Sequence, residues 1–404
     1  MLLKCHRCKL HAYVVIAHES YQRGFKKKVS VLGCAAIRKI FCVSMPLDLK
    51  ALYPFLNDHP QAFEKLSYMW KQGTSFLGVP LGILGGAMTW VSTPDLVAAM
   101  AEAGSFGVLA SGAMTPAMLS EKIAETKLKT KQPFGVNVIV MHPQLQELLQ
   151  VCQQHAVSHV VFAGGMPTAA HLAFVKDYGG KILVFTPSAI VLKRLKRQGA
   201  DAFIIEGAEA GGHIGPVSTS VLAQEILPLH PLNQDVQKGG DEPPEAPIFI
   251  AGGIGHGAMV VNYLRLGAAG CQMGTRFVCA KESPAHPDFK KAFIRASARD
   301  ATVSVQLDAR LPVIPVRALK NKGMSQFIDK QKEVVARVEQ NQVSLAEGQL
   351  EIEHFWAGAL RRAVCEGDIE HGSLMAGQSV GLVKAEEPVQ DIIAHLLKEM
   401  LTVV

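Results

Sequence analysis

Between residues 77 and 277 the chain alternates eight short apolar runs with helix-length amphipathic stretches, and few folds accept that rhythm. The runs are "LGVPLGIL" (77–84), "FGVLAS" (106–111), "FGVNVIV" (134–140), "HVVFAGG" (159–165), "KILVFTPS" (181–188), "AFIIEG" (202–207), "PIFIAGG" (247–253) and "CQMGTRF" (271–277). Runs this short and this continuously apolar read as parallel strands buried on both faces. Between them lie helix candidates such as "TPDLVAAMAEAG" (93–104), where Thr93 stands at the N-cap and Pro94 in the first turn, and "SAIVLKRLKRQG" (188–199), which stops at Gly199. Strand-helix units repeated eight times predict a (β/α)8 TIM barrel.

In that fold the loops after the strands build the active face, and glycine or polar residues collect at those positions. They are Asn137, "AGG" 163–165, "TPS" 186–188, "EGAEAGGHIGP" 206–216 and "AGGIGHG" 251–257. In the fourth of these, Gly207, Gly211, Gly212 and Gly215 allow positive φ and close approach of another molecule, and His213 is the one ring there that titrates near neutrality. Loops after strands seven and eight of such barrels commonly cradle a phosphate. Here those loops carry Gly252, Gly253 and Ile254, then Gly274 and Thr275, whose hydroxyl adds a donor. The stretch "GGIGHG" does not have the spacing of a dinucleotide fingerprint.

Charge sets the outer limits. Residues 1–44 hold nine Lys/Arg against Glu19 alone, a net +8, so the other 360 residues carry −2 of the chain's +6. The main body therefore offers no basic field for nucleic acid. No run reaches the roughly 18 apolar residues a membrane span needs. Residues 1–44 read as a basic extension, disordered or not native, with Met45 beginning the functional chain; Cys5 and Cys8 form one C-x-x-C there without a second zinc half-site. The remaining cysteines, Cys152, Cys271, Cys279 and Cys365, have no framework spacing, which fits a cytoplasmic protein. The expected division is a barrel at 45–283, a small helical lid at 284–348 marked by "DKQKEVVARVEQNQ" (329–342), and a C-terminal return at 349–404 ending in an amphipathic helix from Val389 to Met400. Residues 230–246 read as an exposed insertion.

Six blocks in order, "GGAMTWVSTPDLVAAMAEAGSFGVLASG", "PFGVNVIV", "GADAFIIEGAEAGGHIG", "IFIAGGI", "MGTRFVCAKESPAHPDF" and "GSLMAGQSVGLV", resemble the nitronate monooxygenase (2-nitropropane dioxygenase) family, which includes the flavin-type enoyl-ACP reductases. The resemblance spans about residues 77–390. It implies non-covalent FMN across the barrel mouth, with Gly86, Ala87 and Met88 beneath the flavin and Asn137 bonding the ring or ribityl chain. Glu206, Gly211 and Gly212 would lie on the cofactor, and Gly252, Gly253, Gly274 and Thr275 would take its phosphate. His213 matches the active-site histidine of the family's "GGHxG" motif, and Gln378 and Ser379 match its "GQS" block, assigned here to the substrate pocket. No metal is expected.

The implied activity is oxidation of alkyl nitronates by O2 to a carbonyl compound and nitrite. The alternative is an NAD(P)H-dependent, FMN-containing enoyl-ACP reductase acting on an enoyl thioester, toward which "TRFVCAKESPAHPDFKKA" and "VRALKNK" point; a flavin-binding module of a larger synthase stands third. Both enzyme readings use the same residues. Partners are a small-molecule substrate with O2 or NAD(P)H, no nucleic acid and no membrane, with a homodimer left open. Plainer roles are expected elsewhere: His142 solvated, His155, His159 and His171 in a helical region as surface or packing residues, Glu209 solvating its loop, Arg276 in an ion pair, and Trp90 packing on either flavin or core.

Overall fold

Each apolar run supplies a strand in the computed structural model, which describes residues 47–227, 246–311 and 315–404. In chain order the strands are β1 Ile83–Gly85, β2 Val108–Ala110, β3 Gly135–Ile139, β4 His159–Ala163, β5 Lys181–Phe185, β6 Ala202–Glu206, β7 Gly212–His213, β8 Ile248–Ala251, β9 Gly270–Met273, β10 Ala301–Val303 and β11 Val316–Leu319. Eight of them form one parallel sheet in the order β1-β9-β8-β6-β5-β4-β3-β2. Its two ends meet where Phe106 N–H donates to Ile83 O at 2.8 Å and Gly85 N–H donates to Phe106 O at 2.9 Å. The result is a nearly closed (β/α)8 TIM barrel.

Strand alternation decides which side chains fill the bore. Leu84, Phe106, Val108, Val161, Leu183, Ala202, Ile204, Phe249 and Ala251 form the apolar interior, while their neighbours Val136, Val138, Val160, Phe203, Ile205 and Cys271 pack outward against the helices. By the same parity Asn137, Glu206 and Gln272 face inward. Registers place Glu206 beside Ala251 and Ala251 beside Gln272, at the C-terminal end of the bore. Three polar side chains thus rim an apolar shaft.

The opposite end is plugged by helix Lys71–Leu77, whose Phe76 and Leu77 pack on the interior cluster. His159 begins β4 there, which corrects the expectation of a helical position, and it is buried, as the packing role expected for it requires. Of the barrel's outer helices, the eighth place falls to the end of the chain: Val389–Leu401 packs on Gly257–Arg265 and on Pro94–Glu102. Its apolar face, Val389, Ile392, Ile393, Leu396, Leu397 and Met400, is buried as the 3.6-residue period requires.

After β9 and helix Pro287–Arg295 the chain leaves the barrel to build a cap. Helices Lys322–Glu339 and Leu345–Arg361 pair around Leu311, Val316, Ala318, Met324, Phe327, Val334, Ile352 and Ala359. Asn321 caps the first helix and a Ser344/Glu347 capping box starts the second. The second helix runs across the boundary expected at 348. To the helices the cap adds an antiparallel sheet of order β10-β11-β7, and β7 belongs to the Gly-rich loop after β6. The basic extension 1–44 and all of the insertion 230–246 except Ala246 lie outside the described residues. Among the described residues no helix is long and apolar enough to cross a membrane.

Candidate active site

The barrel mouth gathers residues from the ends of β1, β3, β6, β8 and β9 and from the C-terminal return. Gly86 N–H donates to Met273 O at 2.9 Å, which joins the loop after β1 to the end of β9. Ser92 fixes that loop: its Oγ donates to Gly86 O and accepts from Met88 N–H, both at 2.9 Å. A Cβ on Gly86 would stand 3.4 Å from Gly274 Cα, and one on Gly274 would stand 3.4 Å from Met88 Sδ. Gly86, Ala87, Met88 and Gly274 therefore make one wall of largely bare backbone. Asn137, on β3 two strands around from β1, is buried, its amide donating to Val161 O at 3.0 Å.

Glu206 ends β6 over the apolar bore, and burial alone pushes its carboxyl up to about 8 from the ordinary 4.5. At neutral pH it stands mostly protonated, able to donate a hydrogen bond as well as accept one. Gln272, buried at the same level across Ala251, escaped the sequence reading. A polar residue in the apolar run "CQMGTRF" was its one signal.

The loop from Gly207 to Ile214 is held on three sides. Toward the barrel, Thr219 donates to Glu209 Oε2 through both its N–H (2.8 Å) and its hydroxyl (2.9 Å), and Ala208 N–H donates to Val217 O at 2.7 Å. Glu209, expected to solvate the loop, is thus its anchor. Toward the C-terminal return, Gln378 N–H donates to Glu209 O at 2.9 Å. A Cβ on Gly211 would lie 2.6 Å from Gly377 N, so backbone packing already requires glycine there. Toward the cap, Gly212 and His213 pair with Arg317 and Val316, and Ile214 N–H donates to Pro315 O at 2.9 Å. His213 itself is exposed at the edge of the mouth.

On the other side of Glu209 opens a cavity of about 720 Å³ lined by Gly252, Gly253 and Ile254 from the loop after β8, by Gln378 and Ser379, and by Arg295, Ser297 and Lys384. Gly252 and Gly253 have φ of +92° and +71°, the left-handed backbone that favours glycine. The structure places Gln378 and Ser379, assigned from sequence to the substrate pocket, beside the glycines expected to hold phosphate. Thr275 Oγ1 accepts from Gly377 N–H at 3.0 Å, which leaves its proton to be donated. Arg276 bonds Glu387, so its plainer reading holds. Trp90 carries a positive φ of 68°, and the Arg361 guanidinium of the cap lies 6.0 Å from its ring centroid.

A family model described as nitronate monooxygenase matches residues 72–399. The chain belongs to the nitronate monooxygenase family. FabK from Thermotoga maritima shares 37% identity over 81% of this chain and 95% of its own, with a TM-score of 0.69. A nitronate monooxygenase of Paraburkholderia phytofirmans is 25% identical over 80% of this chain and 93% of its own length. An octahydro-indene-carboxyl-CoA dehydrogenase of Rhodococcus jostii is 33% identical over 58% of this chain. The chain spans 62% of that relative's length and 65% of its counterpart from Mycobacterium tuberculosis.

Proposed function

We propose that the protein is an FMN-dependent nitronate monooxygenase that oxidises alkyl nitronates with O2 to a carbonyl compound and nitrite. The observation that supports this reading is the cavity lined by Gly252, Gly253, Gln378, Ser379, Arg295 and Lys384, which shares Glu209 with the loop that carries exposed His213. The residues present fit the cofactor. Gly252 and Gly253, in left-handed backbone, line the cavity with Arg295 and Lys384, Thr275 has a hydroxyl proton to donate, and Gly86, Ala87, Met88 and Gly274 would lie under the ring. Asn137, Glu206, Gly211 and Gly212 would complete the contacts. FMN, when bound, supplies the electron acceptor for the nitronate and the group that O2 reoxidises.

The chain's own residues then bind and orient. His213 would hold the nitronate oxygens, or take the proton from a neutral nitroalkane. Glu206, protonated over the bore, would donate to a cofactor acceptor without bringing a second negative charge to the anionic substrate. The cap over the mouth would limit water at the reacting carbon.

A second reading has a specific observation behind it: the identity to FabK exceeds that to the nitronate monooxygenase of Paraburkholderia phytofirmans. In it NAD(P)H is the donor, an enoyl thioester the acceptor, and His213 orients the thioester. Anaerobic mixing of the purified flavoprotein with an alkyl nitronate, NADH and NADPH in turn separates the two. Bleaching by nitronate with nitrite released on admitting air supports the monooxygenase. Bleaching by a nicotinamide, reversed by a crotonyl thioester, replaces it with the reductase.

A further inference from the structure

Arg317 lies in the stretch "VRALKNK", which the residues proposed for cofactor and substrate leave unused. It sits on β11 directly opposite Gly212, one residue from the pairing of Val316 with His213. Only 8% of it is exposed. Its guanidinium donates twice to backbone carbonyls, from Nε to Ala208 O at 2.9 Å and from Nη1 to Ala301 O at 2.7 Å. A buried guanidinium is tolerated where its donors are matched, and these two acceptors belong to different parts of the molecule. Ala208 is the root of the loop bearing His213, and Ala301 begins β10 of the cap. Burial lowers the guanidinium's pKa, and the nearby Glu209 carboxylate, which anchors the same loop to Thr219, works against that.

We propose that Arg317 is a positioning residue: it staples the root of the 207–213 loop to the cap sheet and thereby sets where His213 stands over the substrate. This rests on the reading that His213 serves the reaction. The barrel side of the loop has Glu209 and Thr219 to hold it; on the cap side the backbone pairings of Gly212, His213 and Ile214 with residues 315–317 are joined by the Arg317 side chain. Displacement of a reacting group by about 1 Å can cost about 10²-fold in rate. The loops at 252–254 and 274–275, which would hold the cofactor phosphate, show no bond to Arg317 among the described residues, so FMN should stay bound, with at most a modest loss of affinity through Gly211 and Gly212 on the stapled loop.

The test compares Arg317→Met and Arg317→Lys with wild type, all loaded with FMN. Three quantities are read: amide hydrogen exchange of peptides covering 207–215, the ratio of FMN to protein, and kcat, KM and their pH profile with whichever substrate pair the wild type turns over. We expect Arg317→Met to keep FMN, to lose protection at 210–214, and to lose about tenfold or more in kcat with KM within about threefold and an altered pH profile. Arg317→Lys, which keeps the charge and a donor, should lie between. A variant of lowered melting temperature with unchanged kcat and unchanged exchange in 207–215 overturns the proposal and leaves Arg317 a brace. If Arg317→Met does not fold, exchange in Arg317→Lys decides: protection equal to wild type at 210–214 overturns the proposal, and its loss supports it. If the wild type turns over neither substrate pair, the functional reading fails, while hydrogen exchange still settles whether Arg317 fixes the loop.

Discussion

Two histidines stand at opposite ends of one barrel, and their surroundings differ in every respect that separates structure from chemistry. At the base, His159 is buried, edge-on to Phe76 and Phe106, with Nε2 2.9 Å from Phe76 O and Nδ1 2.9 Å from Ser158 Oγ. Burial pushes its pKa down to about 4. Both ring nitrogens are satisfied and nothing is left to offer a ligand. At the mouth, His213 is exposed and held by its backbone in a strand two residues long, while the inward-facing Glu206 carboxyl at the end of β6 is pushed up by burial to about 8.

The sharpest way to break this comparison is to remove each feature in turn. His213→Ala should lower turnover by about 10²-fold or more, the scale of a positioned acid-base or electrostatic group, with FMN content and melting temperature near wild type. Loss of flavin with unchanged turnover per bound FMN would make His213 a cofactor residue instead. The two ends should also respond oppositely to pH in the flavin-free protein. His159 has a folded pKa of about 4 against an ordinary 6.5, so the unfolded chain takes the proton first. Stability is full above 6.5 and drains as pH falls toward 4, by up to about 3 kcal/mol. Glu206 has a folded pKa of about 8 against 4.5, so the native state holds the proton longer. Its contribution is full below 4.5 and is lost as pH rises toward 8, about 3 kcal/mol of it by pH 7. Denaturation of Glu206→Gln across this range should keep the acid-side fall and lose the alkaline one; a curve superimposing on wild type would show that Glu206 is not held protonated.

A smaller effect sharpens the case for the anion cavity. Gly253 and Gly199 both have positive φ, +71° and +105°, but a Cβ on Gly253 would meet Glu209 at 3.0 Å beside the cavity, whereas one on Gly199 meets nothing within 4 Å. Alanine at either position should cost about 1 kcal/mol of backbone strain. Only Gly253→Ala should also weaken FMN, by about tenfold in Kd measured by flavin fluorescence. Equal FMN affinities would detach the cavity from the cofactor. Smallest of all, Arg361→Ala removes the guanidinium over Trp90 and should change stability by about 0.5–1 kcal/mol. A large rise in KM there would instead place this cap contact in substrate binding.

Much of the mouth was legible because its constraints are local. Gly252, Gly253 and Thr275 stood out because glycine pairs and a hydroxyl after apolar strands answer a local demand of backbone conformation and anion binding. Parity along "AFIIE" and "GVNVI" would have aimed Glu206 and Asn137 inward, but only with one neighbouring residue of each strand known to lie in the bore. Gln272 stayed hidden for the same reason. Gly211 looked like a ligand glycine, and its close approach is to Gly377, which lies 166 residues further along.

The sequence by itself determined the barrel, since each strand must bury both faces and each following helix must bury one, requirements written into consecutive residues. It also singled out the Gly-rich loops after those strands as the candidate site. The tertiary structure alone decided which residues hold those loops in place. His213 is fixed by pairing with Val316, Glu209 by Thr219, Ala208 by Arg317, and the eighth helix position by Val389–Leu401. Several of these contacts join residues about a hundred positions apart, and backbone pairing of a two-residue strand leaves no periodicity to read. Such contacts exist only once the barrel and cap have brought their partners together.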